Sequence, residues 1–441
     1  MLDHAAASGS FDTIVDAGAG TGRFTFAAAA RFPKACVLAV EQNAELVALL
    51  RTAIQRADLQ GRVFVVEGDF RTIHLELAGR VLFVGNPPYV RHHDIGTQWK
   101  AWYRDGMARR GISASQLAGL HAHFMLRMAA LARPGDCWCL VTAAEWLDNG
   151  YGSALRQLTT QPQGLGLQAL WLAPPEEPVF ADALVSAVVF AGTVGEDVRR
   201  VSFGRVAGHR LTALRGLDSA AVQASERWSE LCQFEERPPS SGTEIGDLFK
   251  VTRGQVTGLN AAWILPPDAP ADWQALGVAA VTRAREIIDG TVLAGDAAKR
   301  VRRVIDLPSE LDQLAPHLRA AADQLVARAR VLGAHSSYVA RQRAAWFSVG
   351  MRAPPAAFVS YMGRRPPVFS PNPHGLSYLN IAHGLYPRVP VSLSELTRML
   401  DHLNVNTALF SGRVYGGGLA KFEPSDIARL RLPQAVWEPR L

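Results

Sequence analysis

What the 441-residue sequence lacks narrows it first. It holds only four cysteines, Cys36, Cys137, Cys139 and Cys232, and none forms a Cys-x-x-Cys pair with histidines at ligand spacing. That excludes a disulfide scaffold and argues against a zinc site. Reduced structural thiols are expected, with Cys137 and Cys139 sharing one face of a strand, and no metal. No apolar run approaches the length that crosses a bilayer, and the opening MLDHAAASGSFD has neither the basic flank nor the apolar stretch of a secretory signal. A cytoplasmic protein without a membrane partner is expected. Charge is also modest: 46 Lys and Arg against 40 Asp and Glu leave +6, with a pI near 9.3. The arginine-rich surplus permits phosphate contacts, but by itself says little about nucleic acid.

What is present is a chain with 48% hydrophobic residues, longer than one core usually supports, so two domains are expected. From residue 11 to about 192, short β-branched runs alternate with helical stretches, the pattern of a parallel sheet covered by helices. Strands are expected at 12–17, 35–40, 63–67, 81–85, 137–142, 167–172 and 185–191, and helices at 22–32, 43–57, 113–132 and 151–159. This is a doubly wound, Rossmann-like α/β domain. After Gly192 the alternation breaks down, and Arg237-Pro238-Pro239-Ser240-Ser241-Gly242 reads as a linker. Residues 1–240 and 241–441 are therefore expected as separate domains, the second of mixed α+β character with one amphipathic helix near 309–330.

The chemistry sits at the strand ends. The first strand runs into Asp16-Ala17-Gly18-Ala19-Gly20-Thr21-Gly22, a strand-to-helix turn whose glycines let a ligand approach the backbone. Such turns also serve nicotinamide, flavin and phosphate sites, or are merely tight. Glu41, about twenty residues on, ends the second strand, where a carboxylate can hold a ribose diol. The third strand ends in Glu67-Gly68-Asp69-Phe70, where Asp69 could accept from an adenine amino group. Singly, each acid is equally well a solvated or capping carboxylate. Asp16, Glu41 and Asp69 after three successive strands are harder to dismiss.

The fourth strand ends in Asn86-Pro87-Pro88-Tyr89, the most specific feature of the chain. Two prolines fix the backbone and leave the Pro87 carbonyl as an acceptor beside the Asn86 amide oxygen. Two acceptors converging on one point suit a planar NH2 group, whose nitrogen they draw toward a nucleophilic, pyramidal geometry. Tyr89 offers a stacking face for a base withdrawn from a duplex.

These motifs resemble the class I S-adenosylmethionine-dependent methyltransferases. Within them they resemble the N6-adenine DNA methyltransferases of restriction-modification systems, gamma arrangement, in which cofactor motifs precede NPPY and a target-recognition domain ends the chain. The resemblance implies a mixed sheet with an antiparallel last strand. It implies that Asp16, Gly18, Gly20 and Gly22 line the methionine part of S-adenosylmethionine, Glu41 its ribose, Asp69 its adenine with Phe70 beside it, and that Asn86, Pro87, Pro88 and Tyr89 form the catalytic motif. His123-Phe124-Met125 through Pro134-Gly135, then Cys139-Leu140-Val141-Thr142 and Trp146-Leu147, match the family's next helix, turn and fifth strand. Pro178-Val179-Phe180 looks like its hairpin motif, making Phe180 a second stacking residue for the base, with a buried core phenylalanine as the alternative. Val251-Thr252-Arg253-Gly254-Gln255-Val256-Thr257-Gly258-Leu259-Asn260 and Tyr415-Gly416-Gly417-Gly418 with Pro424 are similar to segments of recognition domains. Arg253, Arg364, Arg365 and Arg413 are candidates for contacts to double-stranded DNA, though a single arginine is equally at home as solvated surface. Family members carry a segment ahead of the first strand that helps close the cofactor pocket; about ten residues stand there here, so a truncated start, or a wall from elsewhere in the fold, is expected. With no nuclease signature in the remaining length, cleavage would need a separate restriction endonuclease.

Rival readings remain at this stage. NPPY serves an amide as well as an amine, so a protein glutamine-N5 methyltransferase fits the motif, although some two hundred residues behind it suit DNA better. N4-cytosine transfer uses an equivalent amino group. A non-catalytic DNA-binding subunit of a restriction assembly is the non-enzymatic alternative.

Overall fold

A computed structural model describes residues 1–173, 186–208, 210–232, 242–266, 268–407, 413–415 and 419–437. The chain forms two compact units whose main spans are Met1–Glu236 and Arg237–Val414. The boundary expected at 240/241 and most of the expected linker lie outside the described residues.

The first unit is a nine-stranded sheet. After a short helix α1 (Leu2–Ala6), the strands are β1 (Thr13–Ala17), β2 (Cys36–Glu41), β3 (Val63–Glu67), β4 (Val81–Gly85), β5 (Cys137–Ala143), β6 (Leu167–Leu172), β7 (Ala187–Thr193), β8 (Arg200–Ala207) and β9 (Arg210–Asp218). Their spatial order is β3-β2-β1-β4-β5-β7-β6-β8-β9. The first five run parallel and β7 enters antiparallel between β5 and β6. This is the mixed, doubly wound sheet expected from the sequence. The central strands are buried on both faces, Val81–Gly85 wholly so, which is why they read as continuous apolar runs rather than alternating ones.

Connecting helices are α2 (Arg23–Arg31), α3 (Ala44–Arg56), α4 (Thr97–Ala108), α5 (Leu120–Leu131) and α6 (Ser153–Thr160). Two expectations need correction. The helix expected over 113–132 starts at Leu120, with Gly119 in extended conformation as its N-cap, and is preceded by α4, which was not expected. The strand–helix alternation does stop after Gly192, as expected, but the sheet does not: two more strands, β8 and β9, follow with no helix between them. β8 pairs parallel with β6, and its buried Val201, Phe203 and Val206 are interspersed with exposed Ser202, Arg205 and Ala207, a half-buried strand at the sheet's margin.

The second unit holds a four-stranded antiparallel sheet in the order Phe249–Arg253, Ala382–Pro387, Ala357–Ser360, Phe369–Pro371, and a three-stranded one in the order Arg302–Ile305, Gly277–Val281, Ser377–Tyr378. Its expected helix runs from Pro316, a proline in the first turn, to Val331. A second long helix, Leu393–Asn406, was not expected, although Ser392 and Glu395 form the reciprocal capping box that marks its start. Its Leu396, Met399, Leu400 and Leu403 pack with Phe249, Val359 and Leu385 into one core. Among the described residues no helix is long and apolar enough to cross a membrane.

Candidate functional site

The sheet order turns at β1. Strands β2 and β3 lie to one side and β4 and β5 to the other, so connections leave β1 and β4 in opposite directions and a crevice opens at their carboxyl ends. All four sequence motifs terminate strands at this edge.

At the β1 end, Asp16 is 1% exposed and its Oδ2 accepts a 2.6 Å hydrogen bond from the Thr25 hydroxyl in α2. Burial pushes its carboxyl up to about 6. Opposite it, Gly85 has φ +148°, and a Cβ there would stand 2.7 Å from Asp16 Oδ1, so only glycine lets β4 close against this acid. In the turn, Gly18 (φ +76°) brings the backbone against the Asn86–Tyr89 segment: a Cβ on it would meet Pro88 Cδ at 3.3 Å and Phe124 at 3.5 Å. Gly20 (φ +56°) has nothing within 4 Å of where a Cβ would stand, leaving room for a ligand along the turn, and Gly22 (φ +84°) packs under Leu50 and Phe26.

Glu41 at the β2 end ties this turn down. Its Oε2 accepts from the Gly20 N–H at 2.9 Å, and its Oε1 from the Gln42 and Asn43 N–H groups, each at 2.9 Å. Asn43 in turn caps α3, accepting from the Glu45 and Leu46 N–H groups at 2.9 and 3.1 Å, a cap that typically contributes about 1 kcal/mol.

At the β3 end, Asp69 is held by the side chain of Arg71: Nε lies 2.9 Å from Oδ1 and 3.0 Å from Oδ2, and Nη2 2.5 Å from Oδ2. Partial burial raises the Asp69 carboxyl, but the Arg71 bonds and charge outweigh it and hold it below the usual carboxylate range. The guanidinium lies over the Trp99 ring of α4, 3.7 Å from its centroid. Phe70, at 2% exposure, faces the core against Phe124.

At the β4 end, Pro87 is buried while Asn86 and Pro88 are half-buried. The Tyr89 hydroxyl donates to Asn86 Oδ1, and desolvation raises its pKa above the ordinary phenol value. Tyr89 is 38% exposed. The following loop is anchored by the Leu120 N–H donating to the Val90 carbonyl at 3.0 Å.

Sequence reasoning missed a buried aromatic and histidine cluster behind Asp69. His123 stacks on Tyr103 at 4.8 Å and on Trp102 at 5.9 Å. Burial lowers His121 and His123 to about 4, so both are neutral at physiological pH. The signal was there: Trp99, Trp102, Tyr103, Gly106 and Met107 fall at helical spacing.

Elsewhere, Arg253 pairs with Glu423 at 2.5 Å, a carboxylate that Lys421 also contacts at 2.7 Å, while Arg364 and Arg365 are exposed. Phe180, with Pro178 and Val179, lies outside the described residues, as do Gly416–Gly418 and the side chain of Arg413. Among the described residues no group of histidine, cysteine, aspartate and glutamate is placed to hold a metal ion. The open glycine turn, with Glu41 and Asp69 along the same edge, fits an elongated nucleoside cofactor.

The family described as "Type II methyltransferase M.Eco57I, C-terminal domain" matches residues 233–439. "Eco57I restriction-modification methylase" matches 79–163 and "Methyltransferase domain" 14–104. The chain is 41% identical over 440 residues, 98% of its length and 82% of the relative's, to "Type II methyltransferase M.XamI" of Xanthomonas campestris pv. amaranthicola. It is 30% identical over 96 residues, 21% of this chain and 28% of that one, to the human "MTRF1L release factor glutamine methyltransferase". Among solved structures, the type IIL restriction-modification enzyme MmeI, determined in complex with DNA, is similar in fold, with a TM-score of 0.58 at 12% identity. That match covers 95% of this chain but 62% of the MmeI chain.

Proposed function

Because the chain belongs to the type II restriction-modification methyltransferase family, we propose that it methylates the exocyclic N6 of adenine in double-stranded DNA, using S-adenosylmethionine, in the cytoplasm and alongside a separate restriction endonuclease. The observation that carries this reading is the position of Asn86-Pro87-Pro88-Tyr89: it closes β4 at the turning point of the sheet, with Pro88 against the glycine turn.

S-adenosylmethionine, when bound, supplies a sulfonium methyl. Gly18, Gly20 and Gly22 would hold its methionine end, Glu41 its ribose and Asp69 its adenine. Glu41 already uses both oxygens on backbone N–H groups, so its first role is to hold the turn in shape. The target base stacks on Tyr89, with Phe180 as its second aromatic neighbour. Asn86 Oδ1 and the Pro87 carbonyl would accept from its amino group, orienting the nitrogen lone pair in line with the sulfonium methyl and placing acceptors where positive charge develops; as the N–C bond forms the S–C bond breaks to leave a thioether, and the methylated nitrogen sheds its surplus proton to solvent. Asn86 Oδ1 carries one bond from the Tyr89 hydroxyl and has a second lone pair for the target amine. No cysteine nucleophile is used. Residues 241–441, with Arg364, Arg365, Arg253 and Arg413, are assigned to DNA reading.

A protein glutamine substrate is the second reading, favoured by the partial likeness to a release factor glutamine methyltransferase. Offering labelled S-adenosylmethionine with unmethylated plasmid DNA in one reaction and glutamine-bearing release factors in another separates the two. Label in DNA alone supports the proposal. Label in protein alone, or in neither, overturns it.

A further inference from the structure

We infer that Asp69 and Trp99 together form the subsite for the cofactor's adenine, and that the Arg71 side chain is an internal occupant which the adenine displaces. This rests on the cofactor reading above and names the residues that would grip its base.

The guanidinium of Arg71 meets Asp69 edge-on and Trp99 face-on. Its Nε and Nη2 donate to both carboxylate oxygens at 2.5–3.0 Å, and the Arg71 backbone N–H adds a 2.9 Å bond to Oδ1. Those three N–H groups take most of the roughly four lone-pair sites of the carboxylate, including the in-plane edge that faces Trp99 through Arg71. The ring contact of 3.7 Å is the stacking distance of two planar groups, much closer than the outer limit of a cation–π contact. An acceptor in the plane and an aromatic face below it is also the environment that an aminopurine requires: the exocyclic amine donates to the acid and the ring stacks. Phe70 does not offer such a face, because its ring is buried against Phe124.

The place along the sheet edge is right for the far end of a nucleoside cofactor. The Gly68 N–H donates to the Glu41 carbonyl at 2.9 Å, so the β3 end sits directly beside the acid that pins the glycine turn. Trp99 is braced from behind, edge-on to Trp102 at 6.0 Å, which stacks on buried His123. Arg71 reaches Asp69 from only two residues away, an ion pair formed within one loop. The Arg71 and Asp69 side chains keep 10% and 23% of their exposure. An amine that takes Asp69 must move Arg71, and removing Arg71 should help it.

The test is binding of S-adenosylhomocysteine and of its inosine analogue, in which an oxo group replaces the amine, to the full chain by calorimetry. Arg71→Ala is expected to bind S-adenosylhomocysteine up to about fivefold more tightly than the native chain, the weight of a partly exposed ion pair. Trp99→Ala is expected to weaken it about tenfold, with Trp99→Phe recovering most of the loss. The preference for the amine over the oxo analogue should persist in Arg71→Ala and vanish in Asp69→Asn, a discrimination that a purely structural role would not move. Weaker or unchanged binding in Arg71→Ala, with the native chain binding normally, overturns the inference and leaves the methyltransferase reading standing. No binding by either chain overturns both. Normal binding with no methyl transfer to DNA overturns only the DNA reading.

Discussion

Four polar side chains end four neighbouring strands of the first unit, yet they divide into two pairs. On β1 and β2, Asp16 and Glu41 are buried and spend their oxygens on the scaffold: Asp16 on Thr25, Glu41 on three backbone N–H groups. On β3 and β4, Asp69 and Asn86 are held by side chains two and three residues away, Arg71 and Tyr89. Glu41, held by backbone N–H groups, cannot be vacated without unmaking the turn, and Asp16, 1% exposed and tied to the Thr25 hydroxyl, is closed off by burial. The side-chain bonds on Asp69 and Asn86 can be exchanged for a ligand's donors by movement of the Arg71 and Tyr89 side chains, while Asp69 keeps its bond from the Arg71 backbone N–H. In the proposed function the first pair shapes the crevice and the second meets what enters it.

The largest effect that sharpens this division is expected from Asn86→Ala. Methyl transfer should fall by at least about a hundredfold, the scale for removing one side-chain group that stabilises developing charge, while S-adenosylhomocysteine binding stays near native. Full retained activity would break the comparison at its chemical end. Glu41→Gln is expected to act the other way, through structure. An amide NH2 placed against the Gly20 or Asn43 N–H loosens the turn, so thermal stability should drop by roughly 1.5–3 kcal/mol and cofactor binding with it. Unchanged melting with lost binding would make Glu41 a ligand contact first.

A smaller effect concerns pH. Asp16 titrates near 6 in the folded chain, above its ordinary value of 3.8. Between those values the folded state binds more protons than the unfolded one, so this group's contribution is full below about 4 and is lost as pH rises through 6. His121 and His123, lowered to about 4, give the opposite slope, stability rising between about 4 and 6.5. Asp16→Asn removes only the first contribution. Its melting temperature should therefore rise relative to the native chain as pH goes from 5 to 7, and a constant difference would contradict the buried, raised acid. The smallest effect is expected in the second unit: Arg365→Ala should reduce the salt dependence of DNA binding by about 0.9 in the log–log slope if it meets one phosphate, whereas Arg253, already paired with Glu423, should change it less.

The same division governs what was legible in the sequence. Strand ends and motifs could be read because local chemistry fixes them: a glycine turn needs positive φ, NPPY fixes its own backbone, and buried parallel strands are unbroken apolar runs. Trp99 was not legible, since its partner Arg71 is about thirty residues away and only the fold places α4 over the β3 end. Helix α4 itself was readable at Trp99, Trp102, Tyr103, Gly106 and Met107, but Gly106 and the aromatic residues make a weak helix by propensity. Strands β8 and β9 were lost among arginines and glycines that mark a sheet margin as readily as a linker.

The most direct test of the central claim is the identity of the methylated nucleoside. Unmethylated plasmid DNA is incubated at low salt with the native chain and labelled S-adenosylmethionine, then digested to nucleosides and separated. All of the label in N6-methyladenosine's deoxy form is the expected result. Label in N4-methyldeoxycytidine, or none in any nucleoside while S-adenosylhomocysteine still binds, would contradict it.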